Sequence, residues 1–247
     1  GSWWAISALS WTLFSVIMAA ALPVLVVPMF FRYLPVEDGR MKDGILYLAE
    51  KAGIPLVDVC RVDMSRKTAR ANAALAGVGR TRRVILSDTL TDGFTLGEVL
   101  TVVAHEFAHL RYGHIWKLIL FSGAQALGGL YILYAGSGLI TRMSGASGIS
   151  DLYLLPFFML LALAGGTLLM PVRNWFSREL EKQADRYALR LTEKPEDFIK
   201  MMRKLAEMNL ADPEPSTLKK VLMYDHPPVS QRIRMAERYM EDKRRSF

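Results

Sequence analysis

Three long runs of the chain carry no Asp, Glu, Lys or Arg: residues 3–31, 118–141 and 152–172. Each is long enough to cross the roughly 30 Å hydrocarbon layer of a bilayer, which takes about 20 helical residues. A buried core helix is the alternative for any one run, but core helices usually keep a polar stripe. Three transmembrane helices are therefore expected. Pro23 and Pro28 predict a kink in the first. A signal peptide fits that run poorly, because no basic segment precedes it and the apolar stretch is too long. Gly1-Ser2 reads as the remnant of a cleaved tag, so the natural N-terminus is expected to be missing.

The polar segments 32–117 and 173–247 alternate differently. Glu37 to Ala52 is predicted helical, with Ile45, Leu46, Leu48 and Ala49 at helical spacing before Gly53 and Pro55 stop it. Short strand-like runs follow at Val57–Val62, Ala71–Ala76 and Arg83–Leu86. Thr95-Leu-Gly-Glu98 has the spacing of a capping box and opens a long apolar-periodic helix that meets no breaker before Gly113. Further helices are expected near residues 174–191, 196–208 and 229–242. There are no internal repeats.

Composition and charge sharpen this picture. Hydrophobic residues make up 51% of the chain, and mean hydropathy is +0.19, high for a soluble protein of this size. Of the 31 Lys and Arg residues, only Arg142 lies outside the two polar segments. Three spans bring both segments out on one side, and the positive-inside tendency makes that side cytosolic. The net charge of +7 fits attraction to anionic membrane lipids; no basic recognition helix or stacking platform points to nucleic acid. Cys60 stands alone, which excludes disulfides and cysteine metal sites and leaves it a packing role.

The chemistry sits at His105-Glu106-Phe107-Ala108-His109. His-Glu-x-x-His on a helix puts two imidazoles on one face, about 6 Å apart at Cβ, where both reach one zinc ion. Glu106 lies beside them, placed to take a proton from water that the metal activates. The neighbours Val102, Val103, Ala104, Phe107 and Ala108 are apolar, and two buried imidazoles with a buried carboxylate require a compensating charge. A catalytic site needs a third protein ligand. The pattern His-Glu-x-x-His-x-x-Gly-x-x-His does not supply it: Tyr112 occupies the glycine position and Ile115 the histidine position. A glutamate from a second helix is the other solution. Glu181 fits it, with Glu179 as the competitor, and Asp185 one turn on is placed to orient a ligand histidine. His109 and Glu181 each lie nine residues from their nearest apolar run, about 13 Å as helix, so they reach a common depth. His114 is read as structural, since the phase of a continuous helix turns it away from the ligand pair.

At this point the residues carry a resemblance. Asn72-Ala73, Arg83-Val-Ile-Leu-Ser-Asp-Thr-Leu90, His105-Glu-Phe-Ala-His109 with Gly113-His114, Ser177-Arg178 through Glu181-Lys-Gln-Ala-Asp185, and His226-Pro-Pro-Val-Ser-Gln-Arg232-Ile233 together resemble the type I CAAX prenyl endopeptidases and, more distantly, the HtpX-type membrane peptidases. The resemblance implies an α+β membrane protein: a zincin-like catalytic domain of the gluzincin type, mostly helical with a small β-sheet, plus three transmembrane helices. Residues 32–117 would form its first part, with the His-Glu-x-x-His helix, and 173–247 its second. It also implies that Glu181 is the third zinc ligand and that His226 stabilises the oxyanion. Asn72 and Ala73 would lie on an edge strand holding extended substrate, and Arg232 would support the site. Members of that family have seven spans, and this chain starts at what resembles the fifth, so either the first four are missing or it is a reduced relative.

The expected activity is hydrolysis of a peptide bond near the cytosolic membrane face. The substrate is a peptide or protein, either lipid-modified at its C-terminus or, in a quality-control role, membrane-embedded. A catalytically silent zinc scaffold would fill all four metal positions with protein ligands. A transporter would need ionisable residues within the spans, and none is there.

Overall fold

The computed structural model describes residues 2–22, 29, 31–77, 79–208, 212 and 214–245. Helix α1 (Trp3–Ala21) comes first; the kink expected at Pro23 and Pro28 lies outside the described residues. Four strands follow, β1 (Tyr33–Pro35), β2 (Asp58–Val62), β3 (Ala73–Ala76) and β4 (Arg83–Ser87), in the order β1-β2-β4-β3. The central pair β2–β4 is parallel, and both outer strands pair antiparallel to it. Among the described residues, strand β3 therefore has one ladder edge free.

Helix α2 (Gly39–Ala52) links β1 to its antiparallel neighbour β2. It starts where the Asp38 carboxylate accepts the Arg40 and Met41 amides and stops at Gly53, whose φ of 68° a side chain would disfavour. Met41, Ile45, Leu48 and Ala52 form the buried face. The short helix α3 (Asp88–Gly93) is capped by Ser87. Its one-and-a-half turns carry too little periodicity to be read from sequence, and the same holds for Thr217–Met223 further on.

Helix α4 (Leu96–Arg111) opens with the capping box expected of Thr95 and Glu98. Glu98 is 1% exposed and does two jobs: its Oε2 accepts the Thr95 amide at 2.8 Å and the Lys204 ammonium at 2.7 Å. Lys204 belongs to α7 (Pro195–Met208), so the cap also ties two helices together. Gly97 makes the fit possible, because the Asp197 carboxylate occupies the space a Cβ would take. A carboxylate there also complements the helix N-terminus.

Gly113, at φ 61°, ends α4 and starts α5 (His114–Ser144) in a new direction. Helix α6 (Leu155–Thr192) is entered through the short turn Leu152–Leu154. It is one continuous helix of 38 residues with Pro171 inside it, so the expected run 152–172 and the expected helix 174–191 are a single element. Helices α8 (Thr217–Met223) and α9 (Val229–Arg245) complete the chain.

The core of the polar part gathers Ile45, Val59, Leu86, Val99, Val103, Phe107, Ala188 and Phe198 from α2, the sheet, α4, α6 and α7. The apolar helices look different. α1 and α5 pack on each other through Trp4, whose ring sits edge-on to Tyr131 at 5.1 Å and stacked on Tyr134 at 6.1 Å. Most of the remaining surface of α1, α5 and the first half of α6 is bare: Leu9, Ile132, Leu163 and Leu168 are each at least 68% exposed. Three helices of this length and hydropathy with so much exposed apolar surface belong in lipid, and the chain is a multi-pass integral membrane protein.

Candidate active site

Helices α4 and α6 lie against each other, and their contact brings the sequence-selected residues together. His105 and His109 sit one turn apart on α4, with their Nε2 atoms 3.0 Å from each other. Glu181 of α6 faces both. Its Oε2 is 3.2 Å from His105 Nε2 and its Oε1 3.4 Å from His109 Nε2. Glu179 points elsewhere, pairing with Lys182 at 2.6 Å where both side chains are half-buried. His226, on the turn after α8, brings Nδ1 to 2.9 Å from Glu181 Oε2. Glu106 completes the group, with ligand atoms of His105, Glu106 and His109 all within 4.8 Å of one another.

Asp185, one turn beyond Glu181, is fully buried. It accepts His105 Nδ1–H at 2.9 Å and the Arg232 Nε–H at 2.7 Å, with a second Arg232 N–H on its other oxygen. An ionised carboxylate only accepts, so His105 carries its hydrogen on Nδ1 and directs Nε2 at Glu181 and His109. Arg232 thereby holds the group that holds the ring.

The electrostatics follow from this crowding. Burial disfavours a charged His105, but its bonds to Asp185 and to the Glu181 carboxylate outweigh that and push it up to about 10. His109 goes the other way: burial, together with the charge on His105, lowers it to about 4. Burial raises Glu106, as a general base working near neutral pH requires. The adjacent Glu181 carboxylate raises His226.

A metal fits these residues. Glu181 Oε2 is buried and accepts no hydrogen bond of good geometry, although two ring nitrogens lie within 3.2 Å of it. Two imidazole Nε2 atoms and a carboxylate crowd within 3.4 Å of one another, a donor set that one cation satisfies at once.

The surrounding cavity, about 140 Å³, is lined by Ala71, Asn72 and Ala73 on one side and by Met201, Met202 and Leu205 on another. Asn72 is fixed through its backbone: its amide donates to Ser87 Oγ at 2.8 Å, and its carbonyl accepts the Ser87 amide at 2.9 Å. Ala73 then opens β3, the strand with the free edge. A larger groove, about 540 Å³, runs between α6 and α9 and touches only Asp185 and Arg232 of the site.

Two features escaped the sequence. His114 does not face away: its Nδ1 lies 2.9 Å from His109 Nδ1. The helical phase that excluded it assumed one continuous helix, and the left-handed Gly113 breaks that phase and folds His114 back. Asn174 and Arg178 also went without a role. Asn174 donates to the Leu222 carbonyl at 2.8 Å, and Arg178 donates to the Lys220 carbonyl at 3.0 Å and to that of Tyr224. They anchor the segment that delivers His226. The signal was present, since Asn174, Arg178, Glu181 and Asp185 recur at i, i+4, i+7 and i+11, a buried polar stripe at helical spacing.

Fold and site together define a class: a membrane protein with a metallopeptidase-type site set between a His-Glu-x-x-His helix and a helix that continues into the bilayer. The particular family follows from residues 35–240, which match Peptidase family M48; the chain belongs to that family. Among its relatives, a Bacillus subtilis protein called "Uncharacterized metalloprotease YhfN" is 32% identical over 96% of this chain and 56% of its own length. The CAAX prenyl protease 1 of Saccharomyces cerevisiae is 28% identical over 91% of this chain and 53% of its own. The Arabidopsis thaliana CAAX prenyl protease 1 homolog is 30% identical over 93% and 54%. The chain thus spans about half the length of the curated relatives it matches. The crystal structure of S. mikatae Ste24p superposes with a TM-score of 0.82 over 94% of this chain and 58% of that one, at 24% identity. At that identity the likeness speaks for the fold.

Proposed function

We propose that the chain is a zinc endopeptidase of the gluzincin type, cutting peptide bonds just outside the membrane. His105, His109 and Glu181 would hold the ion and Glu106 would act as general base. The observation that carries this reading is the convergence of two Nε2 atoms and the unsatisfied Glu181 carboxylate beside Glu106. Zinc, when bound there, supplies Lewis acidity for the scissile carbonyl and lowers the pKa of water.

The chain's own groups do the rest. Glu106, its pKa raised by burial, takes the proton of the attacking water and hands it to the leaving amine. His226, whose protonated form the bond to the Glu181 carboxylate favours, would donate to the developing oxyanion, an interaction typically worth about 2.7–4 kcal/mol. The free edge of β3, beginning at Ala73, pairs with an extended substrate, and the Asn72 side chain reaches it from the strand's start. Asp185 and Arg232 keep His105 in register. Met201, Met202 and Leu205 favour an apolar substrate side chain beside the site.

Two relatives bear the name CAAX prenyl protease 1, and by that likeness we take lipid-tailed protein C-termini as the first substrates to try, ahead of loosened membrane-protein segments. The excess of Lys and Arg in the two polar segments supports a site on the cytosolic side, by the positive-inside tendency. The test is cleavage of matched prenylated and unprenylated peptides by the purified full chain, after zinc removal and after its return. The reading predicts activity that disappears with chelation and comes back with one zinc per chain. Cleavage indifferent to chelation contradicts it.

A further inference from the structure

His114 and Gln183 take no part in the chemistry above, yet His114 is 1% exposed with both ring nitrogens engaged. Its Nε2 lies 3.0 Å from Gln183 Oε1, and its Nδ1 lies 2.9 Å from His109 Nδ1. The hydrogens along this row can be placed one at a time. A carboxamide oxygen only accepts, so His114 Nε2 carries a hydrogen. A neutral imidazole has one hydrogen, so His114 Nδ1 presents a lone pair to His109 Nδ1. Two lone pairs at 2.9 Å repel, so His109 Nδ1 must be the donor. His109 Nε2 is then bare, and it is the nitrogen that faces His105 Nε2 at 3.0 Å and Glu181 Oε1 at 3.4 Å.

We infer that Gln183 and His114 are positioning residues that hold His109 in the tautomer whose Nε2 is free for the metal. The inference rests on the zinc reading above. With Gln183 reversed or absent, His114 can carry its hydrogen on Nδ1; His109 Nδ1 must then accept, and its Nε2 takes up the hydrogen that closes the ligand atom. The arrangement also explains why the two ligand rings are supported differently. His105 has the Asp185–Arg232 ion pair behind it, whereas His109 has a neutral relay that fixes its hydrogen without adding another charge. Gly113 is the backbone device that makes the relay possible, since only the broken helix returns His114 to the ring five residues earlier.

The experiment measures zinc affinity of the purified, metal-stripped full chain by competition with a fluorescent chelator, so activity is not the readout. His114→Leu and Gln183→Met fill the space but remove the acceptors, and each is expected to weaken zinc binding about 10–100-fold, the usual range for a group behind a ligand. His114→Asn is the rescue: its Oδ1 stands where Nδ1 stood and accepts from His109, so affinity returns to that of the wild type. Gln183→Glu keeps the acceptor and keeps the affinity. Wild-type affinity in Gln183→Met or His114→Leu overturns the inference, as does a His114→Asn variant that folds and binds as weakly as His114→Leu. If His114→Leu fails to fold, Gln183→Met, at a half-buried position, decides alone. A wild-type chain that takes up no zinc would instead overturn the metal reading on which the relay rests.

Discussion

Helix α6 is one element in two solvents. Its first half, from Leu155 to Arg173, buries none of its residues within the described structure, and its second half buries Asn174, Arg178, Leu180, Glu181, Ala184, Asp185, Ala188, Leu189 and Leu191. The backbone is the same. What differs is what the side chains meet. The membrane half is apolar all round because lipid surrounds it and its backbone groups bond internally. The second half puts a polar stripe inward, and its members find protein partners except at Glu181: carbonyls of the α8 segment for Asn174 and Arg178, an arginine and a histidine for Asp185, while Glu181 Oε2 is left without a hydrogen bond at the site of the proposed metal. A buried polar group without such a partner is costly. The contrast therefore says where specificity lies: substitution should be cheap in the first half and severe in the second.

The most damaging change by this account is Glu181→Gln, which leaves shape intact and removes the charge between the two imidazoles. Zinc affinity should fall by more than about 100-fold, beyond the 10–100-fold typical of a residue behind a ligand, as measured by chelator competition. A variant that kept its zinc would erase the distinction between the two halves at its main point.

Titration of the metal-free chain comes next. His105 is raised from 6.5 to about 10 in the fold, so the folded state holds that proton more tightly than the unfolded state does. Its contribution to stability is fully present below pH 6.5 and is lost as pH rises through about 10. Thermal unfolding of the stripped protein should therefore occur at falling temperature across that window. Loading zinc, which needs a neutral ring, should remove the slope. A metal-free protein whose stability rises from pH 6.5 to 10 would contradict the placement of His105 between Asp185 and Glu181.

Asp185→Asn is expected to weaken zinc binding about 10–100-fold while leaving the ligands themselves in place. At the small end stands Leu163→Ala, in the membrane half and 68% exposed to what would be lipid; its effect on unfolding should stay within about 0.5 kcal/mol. A loss of several kcal/mol there would show that the first half packs against protein as tightly as the second.

The two halves were also unequally legible from sequence. Uncharged runs announced the apolar helices, and the capping box at Thr95 and Glu98 announced the start of α4, because both signals are local. The boundary between span and helix inside α6 was drawn where charge begins, at Arg173, but the hydrogen-bond ladder does not register polarity and runs on to Thr192. In the site, His105, Glu106 and His109 followed from spacing alone. Choosing Glu181 over Glu179 needed the resemblance, since a single helix shows which residues share a face and not which face is turned inward. His114 was misread for a related reason: helical phase carries across a sequence window, and one glycine at positive φ cancels it. Arg178 and Asn174 act on a segment more than 40 residues away; their helical spacing with Glu181 and Asp185 marks the shared face, but not the partner it meets.

The account's central claim is a position for one metal ion, and anomalous X-ray scattering at the zinc edge from crystals of the zinc-loaded chain tests it most directly. The prediction is a single peak at about 2.0–2.2 Å from His105 Nε2, His109 Nε2 and a Glu181 oxygen, with the remaining position open toward Glu106 and His226. A peak elsewhere, or one whose fourth protein ligand is His226, would contradict it and leave a closed structural site in place of a catalytic one.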